Sequence, residues 1–244
     1  VELSDFLLYI NIDHQLISGH LFNNCAKINT KFKAISFKFP DLSLVSSILN
    51  SPKGLTMLSE RFTQALTYAH QLHAHQVRKG SGVPYIAHLL GVASIALEYG
   101  ANEDEAIAAL LHDAIEDQGG TATRAEIRRR FGDTVTAIVD GCTDSDTTPK
   151  PPWRQRKEAY LAHLATASPS VLLVSASDKL YNARSILKDY CLVGESLWQR
   201  FQGGKDGTLW YYRALVDAFK QTGNRAIVEE LERVVAQIEV LTSP

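Results

Sequence analysis

The sequence is poor in the residues that build covalent or metal-clipped scaffolds. Its three cysteines, Cys25, Cys142 and Cys191, include no CxxC pair and leave one over. That excludes a disulfide framework and a cysteine-based zinc site, and it fits a reducing cytoplasm. No apolar run approaches the roughly 20 residues that span a bilayer. The short run from Phe6 to Ile10 follows acidic residues, whereas a secretory leader opens with basic ones. A large charge imbalance is also missing: 25 Lys and Arg against 27 Asp and Glu leave a net charge of -2. A protein that coats nucleic acid is excluded on that ground, while a local basic pocket is not. The expected setting is therefore cytoplasmic, with neither a membrane nor a nucleic acid as partner. At 45% hydrophobic residues, the 244-residue chain can bury the core of one domain, with or without an extension.

A second absence divides the chain. Residues 1–56 hold no arginine and only two alanines, Ala26 and Ala34, whereas the remainder is rich in both. The one methionine, Met57, stands where the composition changes, and residue 1 is valine. Two readings fit: an N-terminal extension, or translation that begins at Met57 with an upstream stretch that is not native. The second is favoured. Either way the domain is expected over 57–244, and the weak strand character from Phe32 to Val45 carries no chemistry.

After Leu58 the pattern is helical throughout. Phe62, Ala65, Leu66, Ala69 and Leu72 form an apolar stripe at helical spacing. Gly80, Gly82 and Pro84 then break the chain. A helix is predicted from Ala87 to Tyr99, stopped by Gly100. Asn102 with Glu105 makes a capping box for the next, and Thr123 with Glu126 a second box before Ile127 to Phe131. Gly132 should end that helix, with another around Val135, Ile138 and Val139. Thr143 to Pro152 reads as a loop. Helices follow from Trp153 to Thr166 and from Pro169 to Leu187. Gly203, Gly204 and Gly207 read as a flexible loop before the last helices, Leu209–Gln221 and Arg225–Leu241. The fold class is all-α, a helical bundle.

Chemistry concentrates in Leu110-Leu111-His112-Asp113-Ala114-Ile115-Glu116-Asp117. At about 100° per residue, His112, Asp113, Glu116 and Asp117 fall in an arc of about 140°, opposite an apolar face. Carboxylates crowded at a helix C-terminus repel one another and the helix dipole, and a divalent cation relieves that repulsion. A solvated helix end with ordinary acids reads equally well from this stretch alone. His88 follows a rigid Pro84-Tyr85 turn at a helix start, where a capping or surface role is the plainer reading of that histidine alone. Asp178, Asn182 and Ser185 lie at i, i+4 and i+7 of one helix, within a stripe about 60° wide. That helix opens with Val171 to Val174 and must be largely buried, so Asp178 needs a cation or an ion-pair partner.

Taken together, these words resemble the H…HD…D signature of the HD superfamily, in the order His88, His112-Asp113, Asp178. Longer words narrow the likeness: His73-x-x-Gln76-x-Arg78-Lys79, Pro84-Tyr85-Ile86-x-His88, Glu116-Asp117 after the HD pair, Phe131-Gly132, Thr143-Asp144, and Asp178-Lys179-Leu180-x-Asn182-x-Arg184. They resemble the ppGpp 3′-pyrophosphohydrolases, the hydrolase domain of Rel/SpoT-type enzymes and the stand-alone small alarmone hydrolases of the stringent response. The likeness is strong from Leu58 to Leu187 and weak beyond. It implies an HD-domain helical bundle with one divalent metal between helices, Mn²⁺ in that family, held by His88, His112, Asp113 and Asp178. It further implies that Glu116 and Asp117 position and deprotonate the attacking water. Arg78 would stack on the base, Lys79 would lie near phosphate, and Asn182 and Ser185 would contact the nucleoside. Ser185 replaces the family's common threonine, and the Thr143 loop, with Asp144, Asp146 and Lys150, follows the pattern loosely. The implied reaction is hydrolysis of ppGpp to GDP and pyrophosphate. Alternatives are an HD hydrolase for another phosphorylated nucleotide and a nucleotide sensor with weak turnover.

Overall fold

The computed structural model describes residues 58–144, 149–222 and 224–243. The Phe32–Val45 stretch and the boundary at Met57 lie outside them. Among the described residues the structure is helical, with one isolated β-bridge, Val77 to Pro84, clamping the turn that Gly80, Gly82 and Pro84 mark in the sequence.

Helices α1 (Glu60–Leu72), α2 (Ile86–Glu98) and α3 (Glu103–Leu111) follow the predicted stripes. Ser59 caps α1 through its side chain, and Asn102 with Glu105 forms the expected capping box on α3. A single turn, α4 (Ala114–Asp117), precedes α5 (Thr121–Cys142). Gly132 does separate two helical stretches inside α5, at φ 89°, a backbone that L side chains rarely adopt. Then come α6 (Trp153–Leu164), α7 (Pro169–Val193), a 3₁₀ segment (Gly194–Arg200), α8 (Gly204–Thr222) and α9 (Arg225–Thr242).

Three expectations need correction. The Thr123–Glu126 box does not form: α5 already starts at Thr121, the Thr123 hydroxyl donates back to the Gln118 carbonyl, and Glu126 pairs with Arg129 and Arg130. The glycines at 203, 204 and 207 are not a loose loop. Gly204 and Gly207 lie in the first turn of α8, and a Cβ on Gly203 would stand 2.7 Å from the Trp153 ring. The continuous helix assumed through His112 and Asp113 is interrupted there, because Asp113 relaxes to φ -96°, ψ -4° and serves as the N-cap residue of α4.

Helix α7 lies between two apolar clusters. Leu173 and Val174 join the core made with α1 to α5, while Leu172, Ala176, Leu180, Ala183 and Ile186 join the core made with α6, α8 and α9. From Val171 to Asp178 every residue of the helix is buried, which explains the unbroken apolar run Val171 to Val174. It also places Asp178 in the interior.

Candidate metal centre and adjoining cavity

Three segments bring the predicted ligands together. His88 sits in the first turn of α2 and is 1% exposed, His112 follows the end of α3 at 2%, and Asp178 lies mid-way along α7 at 6%. One ligand atom from each falls within 4.8 Å of the others. Nε2 of His88 lies 3.3 Å from Asp178 Oδ1 and 3.4 Å from Asp113 Oδ2. Nε2 of His112 lies 3.1 Å from Asp113 Oδ2 and 3.6 Å from Asp178 Oδ1. Asp113 thus faces the same point from the α3–α4 junction, and its Oδ2 also accepts a 2.6 Å hydrogen bond from the Tyr85 hydroxyl.

The residues fit a divalent cation. His112 Nδ1 lies 2.8 Å from the Ala109 carbonyl, a contact that puts a proton on Nδ1 and leaves Nε2 as the atom at which a cation can replace a proton. That Nε2 is buried and makes no hydrogen bond. A buried polar atom without a partner is rare and costly, and a metal satisfies it. Burial opposes charge on His112, yet the neighbouring Asp113 and Asp178 carboxylates outweigh it and hold the imidazole well above its ordinary range. Burial likewise opposes charge on Asp178, and Lys179 with the two imidazoles outweighs it, so the carboxyl stays well below the usual range. The pocket therefore attracts positive charge at the point where the ligand atoms converge. Two imidazole nitrogens with carboxylate oxygens suit a borderline-hard divalent ion.

The two oxygens of Asp178 are used differently. Oδ1 faces the imidazoles and accepts from Asn182 Nδ2 at 2.6 Å, while Oδ2 accepts from Lys179 Nζ at 2.5 Å. Asn182 Oδ1 in turn accepts from the Arg78 guanidinium at 2.8 Å. Arg78 and Asn182 are thus linked to the metal centre.

The acidic pair splits. Glu116 lines the metal cavity and is held by Lys150 Nζ at 2.7 Å and by the Asp144 N–H at 3.3 Å. Asp117 is exposed, is not among that cavity's lining residues, and accepts from Gln76 Nε2 at 2.8 Å.

The metal cavity, about 360 Å³, adjoins a second of about 420 Å³. Arg78, Lys79, Asn182 and Ser185 all line the second one, beside the Tyr181 ring. The Ser185 hydroxyl itself donates to the Tyr181 carbonyl of its own helix. Lys79, Lys157, Lys179 and Arg200 line both cavities. Sequence reasoning singled out Lys79 alone among these four for the site. Lys179 stood in the quoted Asp178-Lys179 word, and Lys157 lies in a basic run after the Thr143–Pro152 loop. Arg200 had no local signal. It is placed by Asp189, 2.9 Å away, and by Gly80, where a Cβ would meet the Arg200 side chain at 2.5 Å. Tyr211 and Tyr212 are buried and line the second cavity, whereas Lys205 pairs with Glu195 outside it.

Comparison with known proteins agrees with this geometry. The family model described as HD domain matches residues 65–208. A guanosine-3′,5′-bis(diphosphate) 3′-pyrophosphohydrolase, MESH1 of Xenopus tropicalis, is 40% identical over 126 residues, covering 50% of this chain and 68% of that protein. A GTP pyrophosphokinase of Streptomyces coelicolor is 36% identical over 138 residues, 56% of this chain but 16% of that longer protein. The structure of a metazoan ortholog of SpoT, described as hydrolysing ppGpp, superposes with a TM-score of 0.64 at 25% identity, covering 75% of this chain and 98% of that one. A histidine from α2, a histidine just past the end of α3 and an aspartate from α7 meet at one buried point inside the matched span, and the chain belongs to the HD-domain family.

Proposed function

We propose that the chain is a metal-dependent phosphohydrolase that converts ppGpp to GDP and pyrophosphate, with Mn²⁺ as its metal, acting in the cytoplasm in the stringent response. The observation that carries this reading is the junction of a histidine–carboxylate metal centre with a cavity walled by cations and aromatic rings. A nucleotide bound there has its nucleoside in the larger cavity and its scissile phosphate at the junction. The likeness to the 3′-pyrophosphohydrolases names the nucleotide.

His88, His112, Asp113 and Asp178 would hold the cation, which supplies Lewis acidity and lowers the pKa of a water from 15.7 to about 7. Glu116, on the cavity wall, accepts the proton of the attacking water, and Asp117, the next residue in the chain, orients that water. Lys79, Lys157 and Lys179 stand where phosphoryl oxygens gather charge, and fixed cations in a partly dry site offset that charge without reorganising. Arg78, fixed by Asn182, gives the base a planar cationic surface, and Ser185 contacts the nucleoside.

Incubating the purified chain with ppGpp and Mn²⁺, and resolving products by ion exchange, tests the reading. Equal amounts of GDP and pyrophosphate are expected. Intact ppGpp after long incubation with Mn²⁺, Fe²⁺, Co²⁺ and Zn²⁺ in turn overturns it.

A further inference from the structure

We propose that His73 is a positioning residue for the hydrolysis, holding Asp117 through the side chain of Gln76. The proposal rests on the reading that Asp117 acts on the attacking water.

His73 ends α1 and is 2% exposed. Its Nδ1 lies 2.7 Å from Gln76 Oε1, and Gln118 Nε2 donates to the same oxygen at 2.6 Å. With its oxygen held twice, the Gln76 amide turns its nitrogen to Asp117 Oδ2 at 2.8 Å. An ionised carboxylate only accepts, so this orientation follows from chemistry: the amide nitrogen must face Asp117, and Oε1 must face donors. His73 therefore carries its proton on Nδ1.

The backbone holds the same arrangement. The Tyr85 N–H donates to the Gln76 carbonyl at 2.9 Å, beside the Val77–Pro84 bridge. The His73 ring stacks on Tyr85 with centroids 5.1 Å apart and planes 16° apart. Tyr85 in turn donates to Asp113. One buried imidazole thus backs two carboxylates, Asp113 by ring stacking and Asp117 by hydrogen bonds. Asp117 is exposed, and an exposed aspartate samples several rotamers in water. Gln76 selects one of them and leaves Oδ1 for water.

The two faces of the imidazole's role separate by substitution. His73→Phe keeps the ring against Tyr85 and removes the donor to Gln76. His73→Asn restores a donor near the Nδ1 position and removes the ring. With ppGpp as substrate, His73→Phe should lower kcat about 10–100-fold, the usual loss for an outer-shell partner, while KM and bound Mn²⁺ stay within about 2-fold. His73→Asn should recover most of that kcat. Gln76→Leu should match His73→Phe, which serves if the phenylalanine variant fails to fold. In an Asp117→Asn background, His73→Phe or Gln76→Leu should cost less than about 2-fold, because the group they act through is gone.

An unchanged kcat in Gln76→Leu overturns the proposal. So does an equal loss with and without the Asp117 carboxylate, since that is the signature of a structural role. Absence of turnover by the unmutated chain overturns the functional reading, and this proposal with it. A parent that turns over beside unaffected variants overturns the positioning role alone.

Discussion

Asp178 meets two demands with two oxygens, one facing the imidazoles and one bound to Lys179. Removing it takes away a proposed ligand atom and leaves the half-buried Lys179 without its nearest carboxylate. Asp178→Ala is therefore expected to lose metal and activity together. Glu116 stands differently, on the cavity wall and tied to Lys150. Glu116→Ala should keep its metal by elemental analysis and lose about 10²–10⁴-fold in kcat, the range for general acid–base groups. Metal-free Glu116→Ala protein would make Glu116 a ligand. At this scale the sequence was informative where motif words are local. His112 and Asp113 are neighbours in the chain, and the apolar context of Asp178 announced a buried group in need of a cation or an ion-pair partner, of which Lys179 is one. The partners were illegible. Lys150 reaches Glu116 across 34 residues and Gln76 reaches Asp117 across 41, and no local periodicity records such a meeting.

Helix packing explains which sequence signals misled. Glycines usually loosen a chain, so Gly203, Gly204 and Gly207 read as a loop. Their use here is close approach: Trp153, fifty residues earlier, packs where Cβ atoms on Gly203 and Gly207 would sit. Gly91 shows the same logic in the middle of α2. An added Cβ there would stand 2.1 Å from the Tyr181 ring, which packs edge-on against His88 at 5.0 Å and lines the larger cavity. Gly91→Ala is expected to push α2 and α7 apart or drive Tyr181 from its place. Overpacking of this kind costs about 1–3 kcal/mol. The melting temperature should fall by about 2–4 °C for each kcal/mol in a domain of this size. KM for the nucleotide should rise alongside. An unchanged melting temperature and KM would show that the Tyr181 ring yields without cost.

On the scale of the whole molecule, the candidate metal centre draws on α2, the α3–α4 junction and α7, so it forms only when these are packed together. A ligand that binds only the folded form stabilises it by mass action, about 2.7 kcal/mol at a hundred times Kd. Mn²⁺ at that excess should raise the melting temperature by about 5–10 °C in a domain of this size, and Asp178→Ala should show no such rise. The sequence bears on the domain boundary as well. The proposed ligands, the Arg78-Lys79 pair and every strong helical apolar stripe of the sequence lie after Leu58. Helices can bury their apolar faces against one another without a preceding segment. A chain beginning at Met57 is therefore expected to fold, bind Mn²⁺ and turn over ppGpp at the rate of the full chain. Leu58, Val77, Val83 and Leu90 remain exposed among the described residues, and they set the competing outcome. If residues 1–56 cover them, the shorter chain will aggregate or melt several degrees lower, and those residues then belong to the fold. Thermal unfolding and steady-state turnover of the two chains, measured side by side, separate the two outcomes.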